Sequence, residues 1–209
     1  MRNNFINRKF RYSFYDASLI LVAINVLVYA ITVLIYPALT YYLSLVPSLV
    51  YYKHFYWQFF TYMFEHGSIY HLLSNMLALY IFGTAAERAI GSKEFLLYYL
   101  LVGTLSGIAA YFSYYFANTN TVLLGASGAI YGIMLLFAVI FPNSRVYLFG
   151  IIPIPSPVLV ILYFFIEFFS QSLNDGVAHS VHLFGLLFGY LYIRIRMRIK
   201  PLQVWGITR

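Results

Sequence analysis

Gly125-Ala126-Ser127-Gly128-Ala129-Ile130-Tyr131-Gly132 opens an apolar run that stops near Phe141, just ahead of Pro142. The glycines make Thr121 to Ala126 poor helix material, so the run predicts a helix over 127–141 with Ser127 as its first residue. Fifteen residues at about 1.5 Å each reach roughly 22 Å, short of the ~30 Å of hydrocarbon in a bilayer. Such a helix begins below the membrane surface. Irregular chain at that depth is tolerated only where protein encloses it or where it lines a watery cavity, so 123–128 predicts a polar pocket.

Outward from this stretch, five more segments are apolar enough to cross a bilayer: 17–36, 68–86, 95–116, 157–172 and 177–196. The expected fold is an all-α integral membrane bundle of six transmembrane helices, the fourth short and starting at a buried serine. Composition agrees, since 62% of the 209 residues are hydrophobic and 9% charged, against about 25% charged in soluble domains. No polar or Ser/Gly/Pro-rich linker divides the chain, so 1–209 reads as one membrane domain.

The net charge of +7 does not indicate nucleic acid, because the basic residues collect at the chain ends. Residues 1–15 carry Arg2, Arg8, Lys9 and Arg11 before the first apolar run, which at about 20 residues is too long for a cleaved signal core. With the N-terminus inside, Arg88, Lys93, Arg145 and the C-terminal cluster Arg194, Arg196, Arg198, Lys200 and Arg209 also fall inside. Of 13 Lys and Arg, Lys53 alone is outside, so both termini are expected in the cytoplasm of a multi-pass plasma (cell) membrane protein. The head of the fourth helix then opens outward. There is no cysteine, which excludes disulfides and thiol catalysis.

Ser127 sits at a helix N-terminus, where unpaired N–H groups and the positive dipole end stabilise an oxyanion. Ser74, Ser106 and Ser170 lie within apolar helices and read as serines bonded back to their own helix. His182 is an ionisable residue inside an apolar helix, functional by default, and suits a general base for Ser127. With Gly185 and Gly189 it forms an i, i+3, i+7 stripe. Gly128 and Gly132 offer the matching small surface, so packing the two stripes carries His182 towards Ser127. Tyr131, one turn after Ser127, is placed to orient the imidazole by stacking, although coincidence is easy among 22 tyrosines.

His71 and Asn75, at i and i+4 of the second helix, are two hydrogen-bond donors suited to an oxyanion hole, with interhelical hydrogen bonding as the plainer reading of Asn75. Of six acidic residues only Glu167 lies within an apolar helix, and no spacing assigns it to His182. The expectation is therefore a Ser/His dyad without an acid. His179 reads as interfacial. His66, Gly67 and His71 lack the His-Glu-x-x-His spacing of a helical zinc site, and neither metal nor cofactor is expected.

Taken together, His71-x-x-x-Asn75, Gly125-Ala-Ser127-Gly128 and His182-x-x-Gly185-x-x-x-Gly189, in this order from about Trp57 to Gly189, resemble the rhomboid family of intramembrane serine proteases. The resemblance implies a six-helix core, Ser127 as nucleophile, His182 as base and acid, and His71, Asn75 and the Ser127 amide as oxyanion donors. It also implies that Tyr131 packs on the catalytic histidine, that Glu87-Arg88 is a structural anchor, that the Trp57 stretch is a membrane-embedded loop, and that the fifth helix and following loop form a gate. Substrates would be single-pass transmembrane proteins cut near the outer leaflet, with lipid as the other partner. Gln58 stands where the family commonly has arginine. With neither a seventh helix nor an added soluble domain, the chain looks like the minimal prokaryotic form. The alternatives are a non-catalytic rhomboid-like protein that binds membrane clients, as derlin-like factors do, and a small transporter. The first lacks the dyad residues, and the second needs repeat symmetry not seen here.

Overall fold

The computed structural model describes residues 10–148, 150–171 and 178–208. Its longer helices are α1 (Ala17–Ile35), α2 (Ile69–Ile90), α3 (Ser92–Phe116), α4 (Ser127–Ile140), α5 (Ser156–Ser170) and α6 (His179–Ile195). Among the described residues α1, α2 and α3 are long and apolar enough to cross a membrane, and α4 and α5 are shorter apolar helices. The other two segments expected to cross, 157–172 and 177–196, correspond to α5 and α6. α5 and α6 have 15 and 17 residues, and the Asn174-Asp175-Gly176 turn expected between them lies outside the described residues.

α1 and α5 turn large apolar side chains outward, among them Leu27, Leu34, Phe165 and Phe169, the last 72% exposed. An apolar exterior on this scale suits lipid rather than water. The protein is a multi-pass membrane protein.

One end of the bundle is tied by carboxylates. Glu87, fully buried near the end of α2, accepts from the backbone N–H of Ala17 at 2.6 Å and of Ser18 at 2.8 Å, and from the hydroxyls of Ser18 and Ser92. These are the unpaired donors at the start of α1, where a negative charge also complements the helix dipole. Gly91, at φ 85°, makes the tight α2–α3 turn that a Cβ would strain. At the start of α3, Glu94 pairs through both oxygens with Arg196 and accepts from Tyr192, which fastens the end of α6.

At the opposite end, residues 37–67 form short helices, Leu39–Leu43, Pro47–Lys53 and Gln58–Thr61, followed by a 3₁₀ turn at Tyr62–Phe64. Gln58, at 0% exposure, accepts from Val46 N–H and donates to the Tyr41 carbonyl. A neutral amide thus links two parts of the loop's backbone. Leu45 and Leu123 exchange backbone hydrogen bonds at 2.9 Å, and Gly125 N–H donates to the Tyr62 carbonyl. These bonds hold the chain leading to Ser127 in an extended path with its polar groups satisfied.

α4 packs most extensively against α6, with α3 flanking both. A Cβ on Gly185 would press into the backbone of Gly128, and one on Gly189 would lie 3.0 Å from the Gly132 Cα. Tyr98 on α3 donates to the Gly132 carbonyl at 2.6 Å. The α4–α5 connection contains a two-stranded antiparallel ribbon, β1 (Arg145–Leu148) with β2 (Ile152–Pro155). Pro153 and Pro155 are accommodated because each strand has one free edge.

Candidate active site

Three consecutive decisions by the chain aim Ser127. Gly125, at φ 112°, adopts a conformation that glycine alone tolerates well. A Cβ there would also fall 2.6 Å from Cε1 of His71, so its absence admits that ring. Ser127 is then the first residue of α4, where the leading N–H groups have no partner within the helix.

Across the α4–α6 contact, Ser127 Oγ lies 2.7 Å from His182 Nε2. The close approach of Gly128 to Gly185 makes this reach possible, because any side chain on that stripe would hold the helices apart. The Tyr131 ring lies parallel to that of His182, with centroids 4.3 Å apart and planes 5° apart. Behind His182, on α5, the structure places Glu167. Its Oε2 is 3.0 Å from His182 Nδ1 and 2.6 Å from His179 Nδ1, and its Oε1 accepts from the Tyr131 hydroxyl. Glu167, His179 and His182 are all buried.

Two expectations are corrected here. A carboxylate does stand behind the histidine, because the α5–α6 packing brings Glu167 to His182, a meeting that no spacing along the chain encodes. His179 is 8% exposed and hydrogen-bonded to Glu167, so it is an interior group rather than an interfacial one. Both had a legible signal. Glu167 is a lone acid in an apolar helix, a costly placement, and His179 shares a helix face with His182 at i, i+3.

Ser127, Tyr131, His182, His71, Asn75 and Gly67 line a cavity of about 620 Å³ that opens to the surface. Asn75 Nδ2 donates to its own helix at the His71 carbonyl, 2.8 Å away, which uses one of its two amide hydrogens and leaves the other available. The His71 ring packs edge-on to that of His66 at 5.0 Å. Ser74 and Ser106 bond back to carbonyls of their own helices. Gly103 and Gly107 face Met63 and Tyr62.

Among the described residues, Glu167, His179 and His182 present ligand-type atoms within 4.8 Å of one another. Around a tetrahedral zinc with bonds near 2.0–2.1 Å, neighbouring donors sit about 3.3 Å apart. Here Glu167 Oε2 is 2.6 and 3.0 Å from the two imidazoles, spacings that suit shared protons rather than an enclosed ion.

A family model described as the rhomboid domain matches residues 53–199. Similar proteins include the putative rhomboid protease YdcA of Bacillus subtilis (strain 168), 34% identical over 137 residues covering 65% of this chain and 64% of that protein. The rhomboid protease GluP of the same organism is 36% identical over 136 residues, covering 64% of this chain and 25% of that protein. RHOMBOID-like protein 12, mitochondrial, of Arabidopsis thaliana is 36% identical over 141 residues, 60% of this chain and 42% of its own length. The matched part therefore spans less than two thirds of each of these relatives.

Proposed function

Because the chain belongs to the rhomboid family, we propose that it is an intramembrane serine endopeptidase that uses Ser127 and His182 to cut transmembrane segments of single-pass membrane proteins. The observation that carries this reading is the 2.7 Å contact between Ser127 Oγ and His182 Nε2 at the wall of the cavity. A serine that already shares its proton with an imidazole is an activated nucleophile.

In the proposed reaction Ser127 Oγ attacks the scissile carbonyl carbon while its proton passes to His182 Nε2. The oxyanion is met by the Ser127 amide at the α4 N-terminus, the His71 ring and the second Asn75 amide hydrogen. His182 returns the proton to the leaving amine, and water from the cavity hydrolyses the acyl-enzyme. Attack requires an extended peptide, so substrate helices with small or helix-weakening residues near the cut are preferred.

The proposed setting is a six-helix bundle in the plasma membrane with both termini cytoplasmic. The grouping of the α1 start, the α2–α3 turn and the α6 end at one face supports it. With 14 residues, α4 extends about 21 Å, so Ser127 lies below the outer surface of a ~30 Å core.

Purified protein in detergent is to be given a model single-pass substrate. Ser127→Ala and His182→Ala are expected to abolish cleavage, and Ser127→Ala to abolish labelling by a fluorophosphonate. Cleavage at the wild-type rate by either variant would overturn the assignment.

A further inference from the structure

The geometry points to Glu167 as a positioning residue for His182, so that the serine and imidazole work with a buried carboxylate behind them; this rests on the Ser127/His182 reading above. The first support is the proton inventory of one ring. For Nε2 of His182 to accept from Ser127 Oγ at 2.7 Å, its single proton must sit on Nδ1. Nδ1 faces Glu167 Oε2 at 3.0 Å, and an ionised carboxylate can only accept. The acid therefore selects the tautomer in which Nε2 is a base.

The second support is charge. When the Ser127 proton moves to Nε2, His182 becomes a cation in an apolar setting, where an isolated charge is expensive. Glu167 stays ionised, and its charge offsets that of the imidazolium without a further proton transfer. When the peptide C–N bond breaks, the proton on Nε2 leaves with the amine, and the ring returns to its Nδ1–H form.

The third support is that the carboxylate is itself held by groups from two other helices. Tyr131 of α4 donates to Oε1 while its ring stacks on His182, His179 of α6 meets Oε2, and α5 supplies the acid. Among the described residues, the other titratable groups at this junction are Tyr163 of α5, whose ring meets that of Tyr131 at 5.7 Å, and His71 of α2 on the cavity wall. The Nδ1–Oε2 approach is oblique, since Nδ1 makes no hydrogen bond of good geometry as the groups stand. Catalytic hydrogen bonds in substrate-free sites are commonly poorly aligned and tighten in the substrate complex.

The test compares wild type, Ser127→Ala, Glu167→Gln and Glu167→Asp in detergent, reading kcat and KM on the model substrate, thermal unfolding, and the His182 tautomer by ¹⁵N NMR of histidine-labelled protein. Glu167→Gln is expected to lower kcat by about 100- to 10,000-fold with KM little changed, the range set by serine proteases whose triad acid is neutralised. It should also move His182 from Nδ1–H towards Nε2–H. Glu167→Asp should fall between. An inactive Ser127→Ala beside a Glu167→Gln of wild-type kcat and tautomer would overturn the positioning role and leave the nucleophile intact. Full activity in Ser127→Ala would instead overturn the nucleophile, and the tautomer readout would still judge Glu167. If Glu167→Gln fails to fold, Glu167→Asp decides, with wild-type kcat and tautomer as the refuting result.

Discussion

Replacing Gly185 by alanine tests whether helix approach sets the catalytic distance. A Cβ built there lies 3.0 Å from the Gly128 carbonyl carbon and 3.3 Å from its Cα, with the carbonyl oxygen nearer still. Carbon–carbon contacts prefer about 3.5–4.0 Å, and the obstacle is backbone, so α4 and α6 must part by about 1 Å at this crossing. Ser127 and His182 flank the crossing on their two helices, and adding about 1 Å to their 2.7 Å separation carries it past hydrogen-bonding range. A misplacement of about 1 Å costs about 100-fold in rate, and overpacking costs about 1–3 kcal/mol of stability. The assay is turnover of a fluorogenic transmembrane substrate in detergent, with thermal unfolding in the same micelles. Gly103→Ala is the comparison. Its Cβ also runs into an occupied position, but the obstacle is the terminal methyl of Met63, the movable end of a flexible side chain, so activity should stay within about threefold of wild type. Wild-type turnover in Gly185→Ala, or equal damage from Gly103→Ala, would refute the reasoning.

Asn75→Ala should lower kcat by about 100- to 1,000-fold with little change in KM, as expected for a donor that acts on the oxyanion; a rise in KM at constant kcat would assign Asn75 to substrate binding instead. His66 is 2% exposed, and burial, aided by nearby His71, pushes its imidazole from 6.5 to about 4. Between those values the unfolded chain takes up a proton that the folded chain refuses, so stability falls as pH drops through this window, by up to about 3 kcal/mol. Glu65 beside it, its carboxyl raised by burial, works in the opposite sense, adding stability at low pH that is lost as pH rises. His66→Phe removes only the histidine contribution, and its melting temperature should draw ahead of wild type as pH falls from about 7 to 4.5. A gap that does not change with pH would sink this prediction.

Much of the candidate site was legible along the chain because its parts are local. Ser127 announces itself by the glycines around it, His182 by an imidazole in an apolar helix, and His71 with Asn75 by one helical turn. The glycine stripes even suggested which helices approach, since a stripe without side chains has few uses besides close contact. The helix positions also followed in outline from apolar runs and prolines, although α2 runs on to Ile90 and α3 starts at Ser92 where 68–86 and 95–116 were expected, and Arg145–Leu148 pairs with Ile152–Pro155 as a ribbon.

The acid beside His182 could not be read this way. Periodicity of 3.6 residues states which side chains share a face of one helix, yet it does not state which faces of two helices meet, or at what height. That register is set by packing among α4, α5 and α6, where the Gly128–Gly185 contact brings His182 to Ser127 and the α5 face brings Glu167 and Tyr131 together. His179 likewise changes from a surface residue to a partner of a buried carboxylate once α5 covers it. The sequence by itself determined a membrane helix bundle and singled out a serine and a histidine as candidates for catalysis. Only the tertiary structure decided what stands behind that histidine, because a contact between side chains on separate helices exists only when the helices have packed.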